Sequence, residues 1–181
     1  MKQLRICVYC ASSNNLDPIY FEAARTLGAG MARRGWALIY GGGSVGLMGA
    51  LAEAVRAGGG KVIGVIPQAL LEREVAYLQA DELIVTTTLR ERKRLMDEQA
   101  DAFIALPGGF GTLEELLEIM TLRQLAYHDK PIIIVNVGGY FDALLAQFER
   151  IFVEGFAHGR CRDLYTVVGS SEEALALLSE Q

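Results

Sequence analysis

A chain of 181 residues that is 51% hydrophobic and 22% charged is long enough to bury one sizeable core, so a single domain over residues 1–181 is expected. A formal net charge of -5 with a pI near 5.1 argues against broad electrostatic capture of nucleic acid or of an anionic membrane, and leaves room for a local basic pocket that takes a small anion. The start, MKQLRICVYC, lacks the apolar stretch of a signal peptide, and no apolar run approaches the ~20 residues that cross a bilayer, so a cytoplasmic location with reduced thiols is expected.

RICVY reads as the first strand. Cys7 and Cys10 spell CxxC, but in a strand positions three apart face opposite sides, whereas a redox pair opens a helix; buried structural thiols are the expectation. The loop CASSNN follows, with Ser13 a candidate ligand contact, and Asp17-Pro18 marks a helix start, a cap before a proline. ALIY, KVIGVI, ELIVT, AFIAL, PIIIV and LYTVV are the later strands, each separated by a segment of helical length, and Ser170 with Glu173 has the spacing of a capping box. Strands that are continuously apolar rather than alternating are covered on both faces. The rhythm therefore predicts an α/β fold, a Rossmann-like, doubly wound parallel sheet, whose ligands sit beyond the carboxyl ends of the strands. Four loops occupy such places: CASSNN, GGGSVG, the Pro67 segment and PGGFG.

GGGSVG carries the spacing GxGxxG at Gly41, Gly43 and Gly46. A dinucleotide site would also want an acidic residue closing the next strand, but that strand ends Ile66, Pro67, Gln68, which disfavours NAD and NADP. Two readings stand: a tight strand-to-helix turn, or a phosphate or ribose site with Gly43 as a contact. In TTTLRERKRLMDEQA, Arg90, Glu91, Arg94 and Asp97 read as a solvated face, whereas Arg92 lies three after Leu89 and four before Met96, on the face that should turn inward, with Lys93 adjoining it. An inward guanidinium pairs with a structural carboxylate or with a ligand phosphate.

IALPGGFGTLEE places a glycine-rich turn at the start of a helix, where free backbone N–H groups and the helix dipole suit an anion. Glu114 and Glu115 in that helix's first turn would repel it. Thr112 and Glu115 also have capping-box spacing, a structural alternative. Leu113, Leu116, Leu117 and Met120 form one apolar stripe of the helix, and Ile119, Leu122 and Ala126 an opposed one that a second subunit would cover. A carboxylate beside a phosphate turn, opposed by an arginine, suits chemistry on a sugar phosphate, because glycoside cleavage builds oxocarbenium character that an anion stabilises. His128, in AYHDKP, reads as a helix-end residue more readily than as a general base.

PGGFGTLEE fits the pattern PGGxGTxxE, Arg92-Lys93 its upstream RK pair, and GGGSVGLMG its first glycine loop. Together these resemble the LOG family of cytokinin riboside 5'-monophosphate phosphoribohydrolases, often mislabelled lysine decarboxylases, over about residues 6–141. The resemblance implies a Rossmann-like homodimer that hydrolyses the N-glycosidic bond of a nucleoside 5'-monophosphate to free base and ribose 5-phosphate, without cofactor or metal. By position it implies Arg92 and Glu115 as the catalytic pair, with substrate contacts at Glu74, Lys93, Gly108, Gly109, Phe110, Gly111, Thr112, Leu113, Glu114 and Thr121. Arg90 stands where the family often has His, and Leu122 where it commonly has Trp. Two other readings are a lysine decarboxylase, for which no pyridoxal phosphate motif is present, and a non-catalytic nucleotide carrier or sensor using the same glycine loops.

Overall fold

The computed structural model describes residues 3–71 and 76–180, so Glu74 lies outside the described residues. Seven strands, β1 (Arg5–Tyr9), β2 (Ala37–Tyr40), β3 (Val62–Pro67), β4 (Glu82–Thr86), β5 (Ala102–Ala105), β6 (Ile132–Val135) and β7 (Thr166–Val168), form one sheet in the order β4-β3-β2-β1-β5-β6-β7. Every pairing is parallel. The chain winds outward from β1 in one direction, then returns and winds outward in the other. The register Cys7↔Phe103, Val8↔Ile104 and Tyr9↔Ala105 fixes the boundary between the halves, and the carboxyl ends of β1 and β5 frame the crevice that such a reversal opens.

Alternation along the strands splits the core in two. Ile6, Val8, Ile104, Ile133 and Val135 pack with helices α1 (Pro18–Arg33), α2 (Gly46–Ala57) and α7 (Ser171–Ser179). Cys7, Tyr9, Phe103, Ile132 and Ile134 pack on the other face with α4 (Leu89–Gln99), α5 (Phe110–Gln124) and α6 (Asp142–Val153); a single turn, α3 (Gln68–Leu71), follows β3. Cys7 and Cys10 thus enter different clusters, as strand geometry requires, and burial pushes both thiols well above their ordinary range. No helix among the described residues is long and apolar enough to cross a membrane.

The caps explain where the helices begin. Asp17 accepts from the Ile19 N–H at 3.0 Å ahead of Pro18. Ser170 accepts from Glu173 N–H at 3.2 Å, and Glu173 reaches back to Gly169 N–H at 2.8 Å. At α4, Thr88 accepts from Glu91 N–H at 3.1 Å while Glu91 accepts from Thr87 N–H at 2.8 Å. Glu91 is therefore a capping residue rather than part of a merely solvated face.

Helix α5 corrects two expectations. It starts at Phe110 with Gly109 as its N-cap, so Thr112 lies inside the helix, makes no capping bond, and Glu114 and Glu115 fall in the second turn. Its buried face is Thr112, Leu116 and Ile119, one residue per turn. Ile119 is 2% exposed while Leu117 is 42% exposed, so the two opposed stripes do not exist: Ile119 belongs to the core and Leu117 faces outward. Ala126 lies beyond the helix at φ 62. His128 accepts from Lys130 N–H through Nδ1 at 3.2 Å, which leaves Nε2 to donate to the Ile119 carbonyl at 3.0 Å. Both ring nitrogens are satisfied, and the residue secures the last turns of α5.

Candidate functional site

The capping box of α4 sets its rotation so that Met96 is fully buried and Arg92 turns toward the sheet. Arg92 Nε donates to the Val65 carbonyl at 2.9 Å, and Nη1 donates to Glu115 Oε1 at 2.7 Å. A Cβ on Gly41 would stand 2.2 Å from Nη2, so that glycine makes room for the guanidinium. The two side chains are 13% and 11% exposed. An ion pair this buried is strongly destabilised when one partner is removed, by about 3–5 kcal/mol. Burial raises the Glu115 carboxyl above its ordinary range, against the opposing pull of Arg92. The site therefore holds a carboxyl that titrates higher than a surface glutamate and is aligned by a fixed cation. Lys93 is held between Glu114 and Glu118, the latter at 2.5 Å. Both cations of the RK pair thus meet α5 carboxylates.

The two glycine loops differ in what fills their helix ends. At α2, the Gly46 N–H donates to Asn14 Oδ1 at 2.7 Å, and Leu47 and Met48 N–H groups donate to the Ala11 carbonyl at 2.9 and 3.3 Å. Gly46 has φ +63, and a Cβ there would lie 2.5 Å from the Ser13 nitrogen. The chain itself occupies this helix end, so GGGSVG is a tight packing turn. Ser13 and Gly43 are both engaged within the chain: Ser13 Oγ accepts from Asn15 N–H at 3.3 Å, and Gly43 bridges Ala76. At α5 the situation is reversed. Among the described residues no hydrogen bond reaches the N–H groups of Gly109, Phe110, Gly111 or Thr112, and nothing lies within 4 Å of where a Cβ on Gly109 or Gly111 would sit. Such a helix start is a ready anion site.

These features converge. A cavity of about 320 Å³ at the carboxyl ends of β1 and β5 is lined by Arg92, Glu115, Gly109, Phe110, Gly111 and Thr112, with Tyr9, Cys10, Ser12, Gly41 and Met48 as floor and Leu70 and Leu89 at its rim. A second cavity of about 350 Å³ shares Tyr9 and Glu115 and adds Lys93, Glu118, Tyr127, Arg90 and Leu122. Glu115 thus stands in the wall between two cavities, and both residues that depart from the family pattern line the second. Gly108 is buried behind the turn, Leu113 packs on the core, and Glu114 is engaged with Lys93. Thr121 stands apart: its hydroxyl donates to the Leu117 carbonyl at 2.7 Å and it lines a separate apolar cavity with Phe148 and Cys161. Tyr9 and Met48 were not singled out by the sequence, and Asn14 only as part of the CASSNN loop; Tyr9 ends β1 and Met48 lies in the first turn of α2.

A family model described as "Possible lysine decarboxylase" matches residues 48–178. The chain is 46% identical over 176 residues to a probable cytokinin riboside 5'-monophosphate phosphoribohydrolase, LOGL1, of Oryza sativa subsp. japonica, covering 97% of this chain and 79% of the relative. It is 44% identical to the cytokinin riboside 5'-monophosphate phosphoribohydrolase LOG2 of Arabidopsis thaliana, covering 97% and 83%. Among solved structures, a molybdenum cofactor binding protein from Rippkaea orientalis aligns with TM-score 0.75 and 23% identity over 99% of this chain and 98% of that one. The molybdenum cofactor carrier protein of Chlamydomonas reinhardtii aligns with TM-score 0.76 and 22% identity over the same shares. At such identities these two share the fold alone. The matches over nearly the whole chain, together with the paired RK and PGGFGTLEE segments at one crevice, place this chain in the LOG family, which the matching family model describes as possible lysine decarboxylases.

Proposed function

We propose that the chain hydrolyses the N-glycosidic bond of adenosine 5'-monophosphates, N6-substituted ones such as cytokinin riboside 5'-monophosphate or AMP itself, giving free base and ribose 5-phosphate. The observation that carries this is the sharing of one cavity by the open α5 helix start and the Arg92–Glu115 pair. The 5'-phosphate docks on the backbone N–H groups of Gly109 through Thr112. Glu115, aligned by Arg92, lies where the sugar gains positive charge as the base departs, and its carboxylate stabilises that oxocarbenium-like state and accepts a proton from the attacking water. Arg92 aligns Glu115 through Nη1 and is itself anchored through Nε on the Val65 carbonyl. The activity in the names of the relatives supports the same reading. Lys93, the lysine beside the cavities, is tied between carboxylates, which disfavours a Schiff-base role.

The test is release of free base from AMP and from an N6-isopentenyl analogue, with the matching nucleosides as controls. Monophosphates should react and nucleosides poorly. Nucleotide binding without base release would leave the carrier reading instead.

Two copies of the chain are proposed to assemble through the outer side of α5 and the segment after it, supported by Leu117, Leu125 and Tyr127, which are 42%, 61% and 77% exposed. Thr121, separate from the Glu115 cavities, would then contact substrate only from a second copy. Light scattering should give twice the chain mass of 19.7 kDa; a monomer mass would remove this part.

A further inference from the structure

The loop after β6 reaches the PGGFG turn from outside it. Asn136 accepts from the Phe141 N–H and donates to Asp142 Oδ1, both at 2.7 Å, so NVGGYFD folds back on itself with Gly138 and Gly139 at φ 59 and 75. This presents Tyr140, whose ring meets Tyr20 of α1 edge-on at 5.8 Å and Phe141 at 5.0 Å. Its hydroxyl donates to the Gly108 carbonyl at 2.6 Å.

That carbonyl shares a peptide unit with the Gly109 N–H, the first of the open donors. The peptide is trans, so the two groups point in opposite directions, and holding one aims the other. With glycine on both sides, no Cβ resists a flip of this peptide. A side chain at 108 cannot supply the restraint, because a Cβ there would lie 2.0 Å from Thr112 Oγ1. The restraint has to come from elsewhere in the chain, and the Tyr140 hydroxyl supplies it.

We propose that Tyr140 is a positioning residue for phosphate recognition: its hydroxyl fixes the Gly108–Gly109 peptide so that the Gly109 N–H faces the incoming anion. This rests on the reading of the PGGFG turn as the anion site, and does not depend on turnover. Tyr140→Phe keeps the ring contacts and deletes the one hydrogen bond. Calorimetric titration with inorganic phosphate and with ribose 5-phosphate should show Kd raised by about 3- to 10-fold, the size of one hydrogen bond. KM for a 5'-monophosphate should rise in parallel, kcat and the melting temperature should hold, and kcat/KM for the nucleoside should stay as it was. Unchanged Kd and KM would overturn the proposal, as would a fall in kcat at constant KM. If the unaltered protein binds phosphate but releases no base, the hydrolase reading fails while the comparison of the two Kd values still decides Tyr140. If the unaltered protein binds neither phosphate nor ribose 5-phosphate, the anion site and Tyr140's role fall together.

Discussion

Two tetrapeptides of this chain, Thr88-Leu-Arg-Glu91 and Thr112-Leu-Glu-Glu115, carry the same capping-box spacing and meet opposite fates. The first is a working cap: Thr88 accepts from Glu91 N–H at 3.1 Å, and Glu91 accepts in turn from Thr87 N–H at 2.8 Å while only half-buried. The second is not, because α5 begins earlier, at Phe110, with Gly109 as N-cap. Glycine is acceptable at that position and supplies no side chain. Two consequences follow. The first N–H groups of α5 find no partner among the described residues, and Glu115, carried one turn deeper, pairs with Arg92 at 2.7 Å. What separates the capping glutamate from the one proposed to act in the reaction is the residue at which the helix starts, and the glycines of the turn set that start.

The contrast can be broken by matched substitutions. The largest effect belongs to Glu115→Gln, which keeps an acceptor for Arg92 but not its counter-charge, so its melt is recorded on the same preparation; base release by the folded protein should fall by roughly 10²- to 10⁴-fold while nucleotide binding survives, whereas Glu91→Gln should leave turnover near normal. Next is Phe110→Pro. Proline is suited to the first helical position and removes one open N–H, and the Phe110 side chain is 93% exposed, so its loss costs the core nothing. Selectivity for monophosphate over nucleoside, read as a ratio of kcat/KM values, should drop by roughly 10-fold or more, the worth of a hydrogen bond to a charged group. The smallest is Thr88→Ala, which should cost about 1 kcal/mol of stability by denaturant unfolding and little turnover; the corresponding Thr112→Ala removes no cap.

The strands were legible from their apolar runs, and the seven predicted segments match the seven described ones; in the inner strands burial on both faces of a parallel sheet leaves little choice of residue, while the more exposed edge strands β4 and β7 showed through their β-branched residues. PGGFG was legible as a glycine-rich turn opening a helix, and Arg92 as inward, although Leu89 beside it lines the cavity rather than the core. The fate of GGGSVG was not legible, because it depends on Asn14, 32 residues away, reaching the Gly46 N–H. Likewise Tyr140 meets Gly108 across 32 residues, and no local pattern announces such a partner. The stripes of α5 were misread for a related reason: Ile119 and Leu117 are equally apolar, and only the docking angle of the helix decides which is buried.

The pH profile of turnover tests the central claim, that the charge of Glu115 acts in the reaction, most directly. Burial raises this carboxyl above the ordinary glutamate value of 4.5, so it keeps its proton to higher pH than a surface carboxyl, and the active ionised form grows in only above that point. With a 5'-monophosphate as substrate, kcat should show an acid limb with a midpoint above 4.5 in the unaltered protein and in Glu91→Gln, and the residual rate of Glu115→Gln should lack it. A limb that persists unchanged in Glu115→Gln, at a rate near that of the unaltered protein, would contradict the account and return Glu115 to a purely structural role.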